Sequence, residues 1–428
     1  MLPGFLPIRR IASVLACEHH LYAQRSDMVR AMTFSTTTLG AAREATAAID
    51  IRTVSNKKTR EVFLRVPWAI GMKDDPNWVP PLLDDHRRML DRGKSPFLKH
   101  GRIECFVAYQ KGRPVGRICA HIDYEFDRHW PQEPGVAFFG FFECVDDRAV
   151  ARALLSAAEN WARAQGRTTI RGPFTLDTKG EVGVLIEGFH SPPPIGTSYN
   201  KPYVGPLLEA AGYTKAKDLY CWWYDAHSPI PPLTKKLADR TRRLPNVRIR
   251  TADLQQMRRE VEIVRDIYND AWARNWSSVP FTDVELQIMA EEYKMFLDPE
   301  LVIFAEVDGE PAALCLAVPD LNELIRDFDG ELMRRPWNLL RLLWRLKFAR
   351  PKNGRLILLG VKEKYRASRK YGALVAVLYE EIAVRGSNRG YRGGELGWTL
   401  EDNQMINVGI ERMGARKSRT YRVYERAL

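Results

Sequence analysis

Cysteine is scarce and scattered: six in 428 residues, at positions 17, 105, 119, 144, 221 and 315. No two form a Cys-x-x-Cys pair, and few of the eight histidines stand near them. That spacing excludes a disulfide framework and a zinc cluster as organising features, so no metal is expected and a reducing cytoplasm is the default. Long apolar runs are also missing; none approaches the ~18 residues of a membrane-spanning helix. Acid is in deficit, with 53 Asp and Glu against 65 Lys and Arg, a formal net charge of +12. The excess favours an anionic partner such as a nucleotide phosphate, an acidic carrier protein, anionic lipid or nucleic acid. The last is disfavoured, because no helix-turn-helix or base-reading basic stripe is apparent.

At this length two domains are the natural division. Residues 1–48 read as a disordered lead-in, or as a segment upstream of a true start at Met28 or Met32. MLPGFLPIRRIASVLACEHH makes a poor signal peptide, since Arg9 and Arg10 interrupt it. Two hairpins are expected, 102–109 with 114–122 about Lys111-Gly112-Arg113, and 301–307 with 311–318 about Asp308-Gly309-Glu310. Each follows a long helical region and precedes a strand-helix-strand unit, so one architecture occurs twice. The Pro-rich, then basic stretch 227–246 is the expected linker between domains 49–226 and 247–428.

What is present in strength is LILLGVKEKYRASRKYGALVAVLYEEI, Leu356 to Ile382. An apolar strand enters a loop carrying Lys362, Lys364, Arg366, Arg369 and Lys370, and Gly372 lets the backbone approach something closely. Tyr371, Leu374, Val375, Leu378 and Ile382 then recur at helical spacing. Free amides at a helix start, ringed by cations, bind phosphate; a solvated basic turn would carry the same residues. The matching helix of the first half begins at Asp146-Asp147, which would repel a phosphate.

The loop from Asp177 to Tyr203 is long, rich in Gly and Pro, and loaded with polar side chains. Glu181 and His190 are its acid/base candidates, and Tyr199, Asn200 and Tyr203 are placed to line a cleft. Trp272 and Trp276 could shape an acceptor or acyl tunnel, or serve the core. RRPWNLLRLLWRLKFAR, Arg334 to Arg350, sets Leu339, Leu340, Leu343, Trp344 and Leu346 on one side and Arg334, Asn338, Arg341 and Arg345 on the other. Such a helix suits a lipid headgroup interface, and equally a surface helix packed on a sheet.

From strand 356–361 onward, the order of strand, cationic loop, helix, strand, Asn403-started helix, Met413-Gly414 and terminal strand resembles the acyl-CoA half of a GNAT-type N-acyltransferase. Tyr365-Arg366 matches the start of that family's pattern, and Arg369-Lys370-Tyr371-Gly372-Ala373-Leu374 meets its glycine loop in part. Ile410 stands where the family often has an acidic tyrosine. DDPNWVPP, FFGFFE, RGPFTLDTKGEVGVLIEGFHSPPPIGTSYNKPYV and AGYTKAKDLYCWWY extend the resemblance, from about residue 50 to the end. Together they resemble a bacterial family of tandem GNAT-like proteins that includes the bacterial ceramide synthases.

That resemblance implies an α+β or α/β chain of two GNAT-like domains in tandem, each a mixed, mostly antiparallel sheet flanked by helices. It implies an enzyme moving a fatty acyl group from acyl-CoA, or acyl carrier protein, to the amine of a sphingoid base; a cytoplasmic location is expected, with peripheral inner-membrane contact where helix 334–350 meets headgroups. No permanently bound cofactor and a monomer are expected. Val361, Lys362, Arg366, Arg369, Lys370, Gly372, Ala373 and Asn403 would hold the donor in the second domain, the first serving the acceptor. Polarisation of the thioester is expected from a break in strand pairing at Gly360-Val361-Lys362. The base is sought among Glu181, His190 and Glu395, with Asp270 behind them, and the acid in Tyr421 or Tyr424. No Ser-His-Asp or Cys-His order stands out, which favours direct attack over an acyl-enzyme. A GNAT acting on a small soluble amine or a peptidoglycan precursor is the alternative enzyme, and a nucleic-acid-binding regulator the non-enzymatic one.

Overall fold

The computed structural model describes residues 48–176, 179–294 and 296–428. The expectations for residues 1–47, Cys17 among them, and for Asp177 fall outside those residues. The chain begins with β1 (Ile49–Thr53), α1 (Lys57–Ala69) and α2 (Leu83–Met89). The hairpin of β2 (Gly101–Gln110) and β3 (Arg113–Asp123) follows, then α3 (Tyr124–His129), β4 (Val136–Cys144) and α4 (Arg148–Ala164). After these come β5 (Thr169–Gly172), β6 (Val184–Glu187), α5 (Val204–Ala210) and β7 (Thr214–Asp225).

The order then recurs. Helix α6 (Pro232–Arg242) leads to β8 (Val247–Thr251), α7 (Met257–Ala271), α8 (Asp283–Tyr293) and the hairpin of β9 (Val302–Val307) and β10 (Glu310–Pro319). Next are α9 (Asn322–Ile325), α10 (Pro336–Phe348), β11 (Asn353–Val361), α11 (Glu363–Arg366) and α12 (Leu374–Asn388). The chain closes with β12 (Gly393–Leu400), α13 (Gln404–Arg412) and β13 (Arg416–Ala427). Both hairpins turn where the sequence places them. Lys111 and Gly112 take φ of 51° and 75°, Asp308 and Gly309 take 54° and 81°, the left-handed pair that a two-residue hairpin needs.

All strands join one sheet in the order β1-β2-β3-β4-β5-β13-β7-β12-β11-β10-β9-β8, with β6 set against β13. Among the described residues, only β4–β5 and β11–β12 run parallel. The order is a palindrome about the antiparallel β13–β7 pair. If the chain is divided within 227–246, each half lends its closing strand to the other's sheet: β13 pairs with β5, and β7 with β12. The halves are therefore joined by main-chain ladders through the middle of the molecule. A charged cluster adds to the joint, Arg87 bonding Glu61, Asp84 and Glu331, and Arg65 reaching Glu331 from α1. Breaking one partner of such a buried cluster is costly, because the others are left uncompensated.

In the first half the sheet carries one core against α4 and α5 and another against α1 and α2. In the second half the cores lie against α12 and against α7 and α8. The five cysteines of the described residues are all buried and unpaired.

His86 and His121 are buried in this framework, and burial pushes both imidazoles down to about 3, helped at His86 by Arg117. In the unfolded chain the same rings take a proton near pH 6.5, so the unfolded state binds more protons between about 3 and 6.5. Their contribution is complete above the unfolded value and is lost as pH falls. Burial holds Glu181 and Asp320 up at about 7, and these act in the opposite sense over the same range. The histidine effect is therefore read as a difference: relative to wild type, His121→Met should gain about 2 kcal/mol of unfolding free energy between pH 7 and pH 5. Parallel stability curves for the two proteins in urea would refute it.

Candidate active site

Strand β11 is apolar on both faces, as its sequence demands. Leu356, Leu359 and Val361 face the α12 core, while Ile357 and Leu358 face α7 and α8. Its ladder with β12 covers only Asn353–Leu356 against Gly393–Leu396, although the two strands run on to Val361 and Leu400. Beyond Leu356 they part as a fork. A Cβ on Gly397 would lie 2.7 Å from the Leu356 carbonyl oxygen, so a side chain there would crowd the base of the fork. A bulge leaves Ile357 without a register partner on β10 either. Pairing with β12 thus ends before Ile357 and is absent through Gly360 and Val361, while on the β10 side the break expected at Gly360-Val361-Lys362 does not occur. There the ladder continues, Gly360 opposite Leu314, Val361 opposite Ala313, and the Lys362 amide donating to the Ala312 carbonyl at 2.9 Å.

Beyond the fork the chain turns through α11 into α12, whose first turn has no side-chain cap. The amides of Arg369, Ala373 and Val375 make no hydrogen bond within the described residues. Gly372 is needed for the close turn, as a Cβ there would stand 2.9 Å from the Ser368 carbonyl oxygen. Lys362 pairs with Asp266 and Lys364 with Glu310. Arg366, Arg369 and Lys370 are exposed, and among the described residues the two arginines have no carboxylate partner. Free amides, a helix dipole and unpaired cations converge on one spot, the arrangement that holds a phosphate.

The equivalent place in the first half is closed. The Asp147 carboxylate caps α4, accepting from the Ala149 and Val150 amides at 2.7 and 3.4 Å. Its fork is filled by its own chain: the Phe174 amide donates to Phe139 at 2.7 Å, and a Cβ on Gly140 would lie 1.8 Å from the Phe174 carbonyl oxygen.

Glu181, half-buried, is held among Glu143 and Arg117 of the first half and Arg355 of β11. Burial and the Glu143 charge push its carboxyl up to about 7, against the pull of Arg355 and Arg117. Arg355 is the residue before the fork and donates to the Ile195 carbonyl at 2.6 Å. Asp320 receives the Ile195 and Asn322 amides at 2.9 and 3.1 Å, and burial raises it to about 7. Next to these, Glu395 and Arg419 form a buried ion pair, and Arg419 also donates to Ser191 Oγ and the Pro192 carbonyl, both at 2.7 Å. The Gly- and Pro-rich loop is thus pinned over the fork by Arg355, Asp320 and Arg419. Sequence reading missed these three as site residues. Their signal was a charge in strands or strand ends that otherwise face a core.

The remaining candidates disperse. His190 is exposed on the loop. Tyr199 donates to Asp75 at 3.1 Å and is pushed to about 12 by burial and that carboxylate. Asn200 is a buried brace, accepting from the Leu185 amide at 2.7 Å and donating back to its carbonyl at 3.1 Å. Tyr203 donates to the Cys144 carbonyl at 2.8 Å. Trp272 stacks on Tyr268 at 5.0 Å and lies against Gly360, where a Cβ would meet its ring at 2.3 Å. Trp276 sits 5.0 Å from the Arg171 guanidinium and 5.7 Å from the Lys217 ammonium. Tyr421 and Tyr424 are buried, their phenols raised by that burial and already donating to the Ser198 carbonyl and to Glu209, each at 3.0 Å. They belong to cores other than the one under α12. Asp270 accepts the Glu363 amide at 2.6 Å, and Asn403 caps α13.

The tandem sheet, with one fork open beside an uncapped helix start and the other filled, has relatives among known proteins. No family model matches the chain. It is 37% identical over 368 residues to the bacterial ceramide synthase of Caulobacter vibrioides, covering 86% of this chain and 94% of that one. It is 35% identical over 379 residues to protein YghO of Escherichia coli, covering 88% and 95%. The chain belongs to the tandem GNAT-like N-acyltransferase family that includes bacterial ceramide synthase. Among solved structures it superposes on a tandem GNAT protein from the clavulanic acid biosynthesis pathway with a TM-score of 0.51, at 15% identity, over 89% of this chain and 98% of that one. As a member of this family the protein is an acyltransferase, with the α+β tandem GNAT fold that its sequence suggests.

Proposed function

We propose that the protein transfers a fatty acyl group from acyl-CoA, or from an acyl carrier protein, to the amine of a long-chain sphingoid base. The observation that carries the donor site is the contrast between the halves: an uncapped, cationic α12 start beside an open fork, against a carboxylate-capped α4 beside a filled one. The name of the Caulobacter relative supports the acceptor. On this reading the phosphates of the donor lie at Arg366, Arg369, Lys370 and the Gly372-Ala373 turn, with Val361, Lys362 and Asn403 around them. The amine nitrogen bonds to the thioester carbon, the C–S bond breaks, and the thiolate leaves. Glu181, with a carboxyl near 7, takes the ammonium proton. Ile357, unpaired at the fork, supplies the backbone donor for the developing oxyanion. Tyr421 or Tyr424, acting as an acid, would first release Ser198 or Glu209.

No helix among the described residues is long and apolar enough to cross a membrane. We assign a cytoplasmic monomer that meets the inner membrane through α10. That helix turns Leu342 and Asn338 inward, Asn338 donating to the Glu331 carbonyl at 2.6 Å, and presents Trp337, Leu340, Leu343, Trp344 and Phe348 to the outside. Exposed Arg334, Arg335, Lys347 and Arg350 flank this face, a pattern suited to anionic headgroups. Replacing Leu343 and Trp344 by Ser should lower partition onto anionic vesicles and acylation of bilayer-held sphingoid base together. If neither changes, the membrane role fails. The function as a whole is tested by lipid mass spectrometry of cells with and without the chain: N-acylated sphingoid bases should depend on it, whereas acylation of small soluble amines alone would favour the alternative enzyme.

A further inference from the structure

The second half holds an apolar cavity between α7, α8 and the sheet, open in part to solvent. Protein interiors are close-packed, so an apolar opening between two helices and a sheet is a place where a ligand's apolar chain can enter. Its walls include Val264, Leu286, Met289 and Phe304, and its floor reaches Ile357 and Leu358. The one charged residue on the wall, Glu260, is engaged by Arg250 at 2.9 Å. Nothing in the lining asks for a polar ligand.

Its position decides the occupant. Ile357 has no register partner at the fork and also lines the cavity, so the cavity reaches the strand segment beside which a thioester carbonyl would lie. From β11 the lining passes Leu316 on β10 and Phe304 on β9 to Ala252 at the end of β8. Three strand intervals make a span of about 14 Å, the reach of a fatty chain and not of an acetyl group. We propose that this cavity receives the acyl chain of the donor, and that Leu286 and Met289 of α8 set the chain length accepted. The proposal rests on the donor reading above and deepens it. The sphingoid chain is assigned elsewhere, on the Glu181 side of the fork.

The test is a comparison of Met289→Trp and Ala290→Leu, the second a milder filling in case the first does not fold, with wild type. Affinities for CoA, butyryl-CoA and palmitoyl-CoA are measured by calorimetry, and turnover is followed across acyl lengths at fixed sphingoid base. Each methylene excluded from an apolar site loses about 0.8 kcal/mol, so filling the cavity should lower the preference for palmitoyl-CoA over CoA about tenfold or more and move the turnover optimum to shorter chains. An unchanged ratio in a folded variant, with CoA still bound by wild type, overturns the cavity assignment and leaves the donor site standing. A loss confined to the KM of the sphingoid base also overturns it, by giving the cavity to the other chain. Wild type binding neither CoA nor palmitoyl-CoA would remove the donor reading itself, and the cavity assignment with it.

Discussion

Reversing Arg366 and Arg369 together to Glu should raise the dissociation constant for acyl-CoA by about 100-fold or more, with little change in the unfolding midpoint. Hydrogen bonds to a charged group contribute roughly 1.5–3 kcal/mol each, and reversal adds repulsion to the loss of two such contacts. Both side chains are exposed, and neither has a carboxylate partner among the described residues, so the fold loses little when they change. The cations nearer the strand would be poor choices, because Lys362 and Lys364 already pair with Asp266 and Glu310. The same contacts predict that added salt weakens wild-type binding more than binding by the double variant. An unaltered constant would place the donor elsewhere in the molecule.

What made this site legible in the sequence is locality. Strand, cationic loop and helix are consecutive between residues 356 and 388, and the apolar spacing and glycine chemistry that form them act over a few residues. The hairpins at Lys111-Gly112 and Asp308-Gly309 were legible for the same reason, since φ above zero selects the residues of the turn. The strand exchange was not. β13 reads as the natural end of the second half, and nothing within its twelve residues says that it pairs with β5, more than 250 residues earlier. Nor could spacing place the break at Ile357, because a bulge depends on the register of β10, a partner about 40 residues away.

The helix at 336–348 shows the limit of a helical wheel. Asn338 falls on its polar side, yet it is buried, because the Phe328 and Glu331 carbonyls of the preceding loop need its amide. Arg345, on the same side, turns to Asp327. Glu181 stood out as a candidate by residue type alone. What raises it above His190 is the environment of Glu143, Arg117 and Arg355, which only the folded chain assembles.

That environment makes Glu181→Gln the most informative single substitution. If the carboxylate is the base, kcat/KM should fall by about 10²- to 10⁴-fold, the usual contribution of a positioned proton acceptor. The pH profile separates this role from a structural one. In wild type the base is competent only when ionised, so the rate should rise with pH up to about 7 and then level; in the variant that limb should disappear. Stability should move the other way. A carboxyl raised above its unfolded value holds its proton longer in the folded state, so its contribution is full at low pH and lost as pH rises through about 7. The neutral Gln, which never ionises, should therefore be at least as stable as wild type at pH 8 even though it is the slower enzyme. Arg355→Met offers an independent check, because removing a charge that lowers the Glu181 pKa should carry the rising limb to higher pH. A Gln variant that keeps the wild-type pH limb, or an Arg355 variant with the limb unmoved, would take the proton transfer away from Glu181.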